Sequence, residues 1–375
     1  MLSKAQYSFH QNLRNASVKL SLRKDDMKYE LPSSDDRRIW DLLLTQTYQP
    51  AVVVADESGV FVALDERPAT IAELAVRLDF DERATGILLR LLAALGLLTQ
   101  RLGRFHLTDE ARLYFVRSSS FYWGHMMSVG VSERHRTALL AKLRTKGSDR
   151  ATGPEGTPQI SGEGRVSDKW AAGNVSFEQA RGIAARMHSH SLTAAIGAAR
   201  NYDFTGIRRM LDVGGGSGCF MIAIAQKHAH LQCTIMELPA MCEVAQGYIK
   251  TGEVSDRVDT AAVDMFRQPW PKGYDALFLS NIWHDWNFET CKWLAARAFE
   301  ILPAGGRVML HEMLLDDDGA GTVTAASFSM MMLLGTQGQQ FTFGELKNIL
   351  ESAGFAGVGS RQTSVYYSIV TAYKR

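Results

Sequence analysis

An α/β architecture, a doubly wound parallel sheet preceded by a smaller, mainly helical winged-helix-like unit, is predicted by three features of this 375-residue chain. From Ile207 onward, short apolar runs alternate with helical patterns, the arrangement of parallel strands covered by helices. The first of those runs ends in Gly214, Gly215, Gly216 and Gly218, and glycines there let the backbone turn tightly and let a ligand approach it. Upstream, residues 71–107 read in the order helix, turn, helix, hairpin.

The elements follow in chain order. The first 24 residues contain no Asp or Glu but include Lys4, Arg14, Lys19, Arg23 and Lys24. Acidic-poor sequence occurs in transit peptides, but the apolar core of a secretory signal is missing. The expectation is an N-terminal arm, residues 1–35, packed on a partner subunit. Residues 36–115 form the helical unit. Thr70 and Glu73 make a capping box for a helix over residues 71–78, since each side chain can satisfy the other's backbone N–H. A second helix over residues 81–95 gathers Ile87, Leu88, Leu91, Leu92 and Leu95 on one face. Gly96 ends it, and residues 97–107 give two short strands around a glycine turn. Residues 116–200 are a helical connector interrupted by a Gly/Pro/Ser-rich stretch at 147–164. Within residues 201–375, strands are expected at 208–213, 234–237, 258–263, 275–280 and 307–312. A helix at 343–353 and two late strands, near Val358 and at 366–373, complete the sheet.

Composition narrows the function. Lys plus Arg (41) balances Asp plus Glu (40), leaving a formal charge of +1, which does not suit a protein that coats nucleic acid or an anionic membrane. The longest apolar stretch, residues 87–98, is broken by Arg90 and is too short to span a bilayer. Cys219, Cys233, Cys242 and Cys291 contain no C-x-x-C pair, so they read as reduced, buried thiols of a cytoplasmic protein rather than a zinc site or disulfide framework. The pairs His188/His190 and His228/His230 lack a third ligand in sequence, and no metal is expected. A winged helix also raises the alternative of a DNA-binding regulator. The recognition helix would meet phosphates with Asp79, Asp81 and Glu82 against Arg83 alone, and carboxylates facing phosphates repel. Dimerisation is the preferred use of this unit.

The stretch 211–218, LDVGGGSG, admits two readings. A dinucleotide fingerprint needs G-x-G-x-x-G, but here the spacing is G-x-G-x-G and Cys219 stands where the third glycine is required. Asp212, just before the loop, opposes a pyrophosphate but suits a cationic ligand such as an ammonium or a sulfonium. Glu237 closes the second strand, where a carboxylate can hydrogen-bond a ribose diol; the alternative is a merely exposed residue. Asp264 closes the third, where it can accept from an adenine amine beside a soft face from Met265; the alternative is a helix cap.

The sequence resembles the S-adenosylmethionine-dependent O-methyltransferases of the caffeate/hydroxyindole type. The resemblance covers the chain from about residue 36 and rests on LDVGGGSG at 211–218, Glu237-Leu-Pro239, Asp264-Met-Phe266, LSNIWHDW at 279–286, LPAGG at 302–306 and HEMLLDD at 311–317. It implies a winged-helix-like dimerisation domain ahead of a Rossmann-like methyltransferase domain, a homodimer, and S-adenosylmethionine as methyl donor. It places Gly214 at the methionine moiety, with Gly216 also binding the cofactor, Glu237 at the ribose, and Leu238, Asp264 and Met265 around the adenosine. It makes His284 the catalytic base, followed by Asp285, with Glu312 orienting the base. Ser280 stands where plant members often carry Lys, so a cofactor contact there would be a hydroxyl bond. The family's second acidic partner of the base falls on Gln340, which supplies no negative charge. Ile183, Met187 and Met331 are the implied acceptor-pocket positions, within a broader lining from Trp123, Met126, Met127 and the Met330–Met332 run.

The expected chemistry is methyl transfer to a hydroxyl of a planar aromatic. A phenol has a pKa near 10, so a base of pKa near 6.5 that accepts the proton as it leaves raises the rate. The alternative within enzymes is the same methyl donor used on carbon or nitrogen, or for chemistry without methyl transfer.

Overall fold

The computed structural model describes residues 29–146, 175–317 and 321–375. The basic segment before residue 29 and the 147–164 stretch lie outside the described residues. Helix α1 (Arg37–Leu44) and α2 (Tyr48–Glu57) are followed by α3 (Val60–Glu66), α4 (Ile71–Leu78) and α5 (Glu82–Ala94). The capping box of α4 forms as expected: Glu73 N–H donates to Thr70 Oγ1 (3.2 Å) and Thr70 N–H donates to Glu73 Oε2 (3.0 Å), an arrangement that contributes about 1 kcal/mol. Asp79 takes a left-handed conformation (φ 57°) to end α4, and Asp81 caps α5 by accepting from Ala84 N–H at 2.9 Å. β1 (Leu98–Arg101) and β2 (Arg104–Leu107) pair antiparallel around Leu102 and Gly103, both at positive φ, the backbone of a tight hairpin turn.

The winged-helix order is therefore present. Residues Ile87, Leu88, Leu89, Leu91 and Leu92 of α5 are buried, and the helix packs against α13, defined below. After α6 (Asp109–Phe115), α7 (Gly124–Met127) and α8 (Glu133–Arg144), the long α9 (Phe177–Asn201) leads to the sheet, started by a capping box between Ser176 and Gln179.

The sheet contains β3 (Arg209–Val213), β4 (Gln232–Glu237), β5 (Val258–Ala262), β6 (Ala276–Ser280), β7 (Arg307–Met313), β8 (Phe355–Gln362) and β9 (Tyr367–Lys374). They are ordered β5-β4-β3-β6-β7-β9-β8, the first five parallel and β9 antiparallel to both its neighbours. Between them run α10 (Cys219–Lys227), α11 (Pro239–Thr251), α12 (Phe288–Ile301), α13 (Val323–Gly335) and α14 (Phe343–Ser352). One sheet face, with Met210, Ile235 and Phe278, joins a continuous apolar cluster reaching α10 and the N-terminal helices. The other, with Leu211, Leu277, Leu279 and Leu310, packs on α12 and α14. The strand order reverses between β3 and β6, and in such sheets the crevice at that reversal, outside the carboxyl ends of the strands, receives ligands. The glycine loop follows β3 and His284 follows β6, so both border this crevice.

Candidate active site

The glycine loop is shaped by close approach on two sides. A Cβ on Gly214 (φ 72°) would lie 2.5 Å from Ile282 Cδ1, and one on Gly215 would lie 2.3 Å from Asp212 Oδ2. Gly214 N–H donates to the Met236 carbonyl at 2.9 Å, tying the loop to β4. Asp212 sits beneath the loop, buried, and neither of its carboxylate oxygens has a hydrogen-bond partner among the described residues. Burial, reinforced by the charge of Glu237, drives its pKa well above the usual carboxylate range. A cation beside it would oppose that shift by favouring the ionised carboxylate.

Glu237, at the end of β4, is also buried and accepts from Leu238 N–H at 2.8 Å and from the backbone of Gly216. Burial pushes its pKa up to about 7, against those two hydrogen bonds. Leu238 is buried at the start of α11, ahead of Pro239. Asp264 caps a turn over residues 265–267 and not a helix, so neither sequence reading describes what its side chain does here. Its Oδ1 accepts from Phe266 N–H (2.9 Å) and Arg267 N–H (3.3 Å), and its Oδ2 pairs with Arg267 Nη1 at 2.9 Å. An adenine amine at this place would share Asp264 with Arg267. Met265 packs half-buried against the second sheet face. Ser280 is likewise engaged: its Oγ lies 2.9 Å from His311 Nδ1, with His311 stacked on Tyr367 at 4.8 Å and held neutral by burial, its pKa near 3.

His284 lies in a single 3₁₀ turn, Trp283–Asp285, and is 4% exposed. Its Nδ1 is 3.1 Å from Glu312 Oε2 and 3.0 Å from the Gln340 side-chain amide. The other oxygen of Glu312 accepts from the backbone N–H groups of Ile282 (3.2 Å) and Trp283 (3.1 Å), which fixes the carboxylate at the end of β7. Burial alone would lower the His284 pKa, but the charge and hydrogen bonding of Glu312, helped by Asp285, outweigh it and leave the pKa raised. It is the Gln340 Nε2 that faces Nδ1, and Oε1 has no hydrogen-bond partner among the described residues. With the proton on Nδ1, the amide would have to turn its oxygen to the ring instead, because the nitrogen only donates. Gln340 is then a neutral hydrogen-bond partner and Glu312 the countercharge. On the Nε2 side, Asp285 Oδ1 is 3.9 Å away, beyond hydrogen-bonding reach. Asp285 keeps a third of its side chain exposed, and desolvation, opposed by His284, pushes its pKa up to about 6.

The wall beside the base comes from residues sequence reasoning did not select. Phe328 of α13 meets the His284 ring edge-on at 5.2 Å, Trp40 of α1 lies 5.5 Å from Phe328, and His190 of α9 lies 5.6 Å from Trp40. Burial holds His190 neutral, its pKa near 4, and the charge of His284 adds to that. Of the implied pocket residues, Ile183 packs between α9 and α11 with Ala180, Met241 and Val244. Met187 is 45% exposed with its sulfur 3.4 Å from His190 Nε2, and Met331 lies half-buried on α13. Trp123 and Met126 are exposed, and Trp123 meets Tyr114 rather than the base. A cavity of ≈ 350 Å³ in the helical unit, lined by Asp56, Arg117, Tyr122 and His125 among others, contains none of the expected site residues. His228 is committed to the Ala199 carbonyl at 2.8 Å, and among the described residues no three His, Cys, Asp or Glu side chains gather as a metal site. All four cysteines are buried and unpaired.

Comparison with known proteins adds identity to this geometry. A family model for the O-methyltransferase domain matches residues 158–356, and one for the O-methyltransferase dimerisation domain matches residues 40–117. The chain is 36% identical over 316 residues to 3-hydroxy-5-methyl-1-naphthoate 3-O-methyltransferase of Streptomyces sahachiroi, covering 84% of this chain and 86% of that protein. It is 28% identical over 304 residues to L-tyrosine C(3)-methyltransferase of Streptomyces lavendulae, covering 80% of this chain and 81% of that protein. Among solved structures, the O-methyltransferase family 2 protein from Planctomyces limnophilus in complex with apigenin matches with a TM-score of 0.79 and 26% identity, covering 93% of this chain and 98% of that one.

Proposed function

The chain belongs to the O-methyltransferase family, and from that premise we propose that it methylates a hydroxyl of a planar aromatic molecule with His284 as general base. S-adenosylmethionine, when bound, supplies a methyl on a sulfonium, whose C–S bond breaks as the acceptor's O–C bond forms. The residues at the crevice fit that donor: a glycine backbone with no room for a side chain at Gly214, Gly215 or Gly218, a buried carboxylate at Asp212, without a hydrogen-bond partner among the described residues, for its positive end, and Glu237 for a diol. Leu238 and Met265 would flank the adenine, Asp264 would accept from its amine, and Ser280 would turn its hydroxyl to the donor.

His284 carries the reading. Its Nδ1 side is filled by Glu312 and Gln340, so its only site for the acceptor's proton is Nε2. As Nε2 takes the phenolic proton, the imidazolium that forms is stabilised by Glu312, and the proton passes to solvent after the product leaves. Such a base contributes ~10²- to 10⁴-fold. Phe328 and Trp40 present aromatic faces suited to a flat ring, and the naphthoate and apigenin named for the relatives are rings of that kind. Ile183, Met187 and Met331 would border the outer part of the acceptor.

A second reading is favoured by one observation, the tyrosine C-methyltransferase among the relatives. A phenolate is nucleophilic at ring carbon as well as oxygen, so the same base would serve both. Methyl transfer to a panel of hydroxyaromatics, with the product's methyl assigned by NMR to oxygen or carbon, decides between them. The DNA-regulator alternative finds no support in α5, whose apolar face is packed against α13. We further propose a homodimer built on the dimerisation domain, in the cytoplasm, using no metal. Among the described residues no helix is long and apolar enough to cross a membrane.

A further inference from the structure

Alternate residues on a helix project to nearly opposite sides, and α9 uses the pair His188 and His190 in this way. His190 faces Trp40, whereas His188 faces the glycine loop. The His188 Nδ1 lies 2.9 Å from Ser217 Oγ, inside the loop, and Ser217 is buried. Its ring stacks on Tyr248 of α11 at 4.5 Å and 23°, and meets Tyr29 edge-on at 6.0 Å. The Tyr29 hydroxyl is 3.4 Å from the remaining ring nitrogen, and Tyr29 N–H donates to Gln226 Oε1 of α10 at 3.2 Å. One imidazole thus joins α9, α11, the glycine loop and the chain at Tyr29.

Polarity at this position is used rather than tolerated. Burial pushes the His188 pKa down to about 4, so near neutral pH the ring is a hydrogen-bonding group without charge. A neutral imidazole has one donor and one acceptor nitrogen. With Tyr29 O–H donating to Nε2 and Nδ1–H donating to Ser217 Oγ, both nitrogens are satisfied. Ser217 also interacts with the Cys219 thiol. Packing alone would be served by an apolar side chain, without the desolvation cost of a ring that must find two partners.

We propose that His188 is a positioning residue for the methyl-donor site: by holding Ser217 it fixes the Gly214–Gly218 backbone in the shape that receives S-adenosylmethionine. This rests on the reading that the glycine loop binds that molecule. The test is titration calorimetry of the full chain with S-adenosylhomocysteine, on wild type, His188→Ala and His188→Asn. The Asn amide can reach Ser217 from where Nδ1 stood. The expected result is dissociation about tenfold weaker for the Ala variant, the size of one hydrogen bond to a buried partner. Affinity should be largely restored in the Asn variant. In steady state, KM for S-adenosylmethionine rises in the Ala variant while kcat at saturation stays within about twofold, because the hydrogen bond acts on binding and not on the proton transfer. Wild-type affinity in both variants, or equal weakening in both, overturns the proposal. Wild-type protein that does not bind S-adenosylhomocysteine overturns the underlying reading, and the proposal with it.

Discussion

Replacing Gln340 by Glu would set a second carboxylate about where the amide now lies, 3.0 Å from His284 Nδ1. A negative charge there favours the imidazolium, so the His284 pKa rises further above its ordinary value of 6.5. The base works when neutral. The acidic limb of kcat/KM against pH should therefore move to higher pH in Gln340→Glu, and to lower pH in Glu312→Gln, which removes the countercharge. A pH–rate profile on one acceptor checks both directions, and limbs that coincide with wild type would count against His284 as the titrating base. Glu237 gives a prediction about stability. Its pKa is raised from 4.5 to about 7, so folding favours its protonated form. The stability it confers is full below about 4.5 and is lost as pH rises through about 7. Thermal unfolding of the ligand-free protein should show wild type losing ground to Glu237→Gln across that window. A constant difference in Tm between them would contradict the assigned shift.

The turn after β6 is held at its back by the segment after α13. A Cβ on Gly338 would lie 2.0 Å from the His284 carbonyl oxygen and 2.6 Å from Trp286 N, so Gly338→Ala must displace the turn that carries the base. Its Tm should fall and its kcat should fall more than its affinity for S-adenosylhomocysteine, read by melting, steady-state kinetics and calorimetry. Equal loss of all three would point to general unfolding. Gly338 also shows where sequence reasoning stops. The elements were legible because their signals are local: Thr70 with Glu73, the apolar spacing from Ile87 to Leu92, and the glycines closing β3. The partners of His284 along the sheet were legible because the family's motifs name them. Phe328, Trp40 and Gly338 were not, because their proximity to His284 exists only once α1 and α13 have packed. Asp264 and Ser280 were placed correctly at strand ends, yet their side chains answer to Arg267 and His311, residues that sequence spacing does not single out.

The helical unit and the sheet are joined near the site by several bonds. Asp41 accepts from Thr324 Oγ1 (2.9 Å) and the Tyr366 hydroxyl (3.0 Å), Arg83 donates to the Gly338 carbonyl (2.7 Å), and Arg90 pairs with Glu345 (3.2 Å). The site is therefore assembled from both parts, with Trp40 contributed by the first. Within that first part, Ile39, Leu42, Phe121, Trp123 and Met126 are large apolar side chains left exposed. In the proposed homodimer they are covered. Sedimentation velocity should then show dimers for wild type and a shift toward monomer for the double variant Trp123→Glu, Met126→Glu. Unchanged dimers would move the interface elsewhere on the helical unit.

The most direct test of the whole account is the transfer of labelled methyl from S-adenosylmethionine to a hydroxylated aromatic by wild type and His284→Ala, each first shown to bind S-adenosylhomocysteine. The account predicts that the variant binds as wild type does but transfers ~10²- to 10⁴-fold more slowly at neutral pH, with the methyl on oxygen in the wild-type product. Transfer at the wild-type rate by His284→Ala would contradict it.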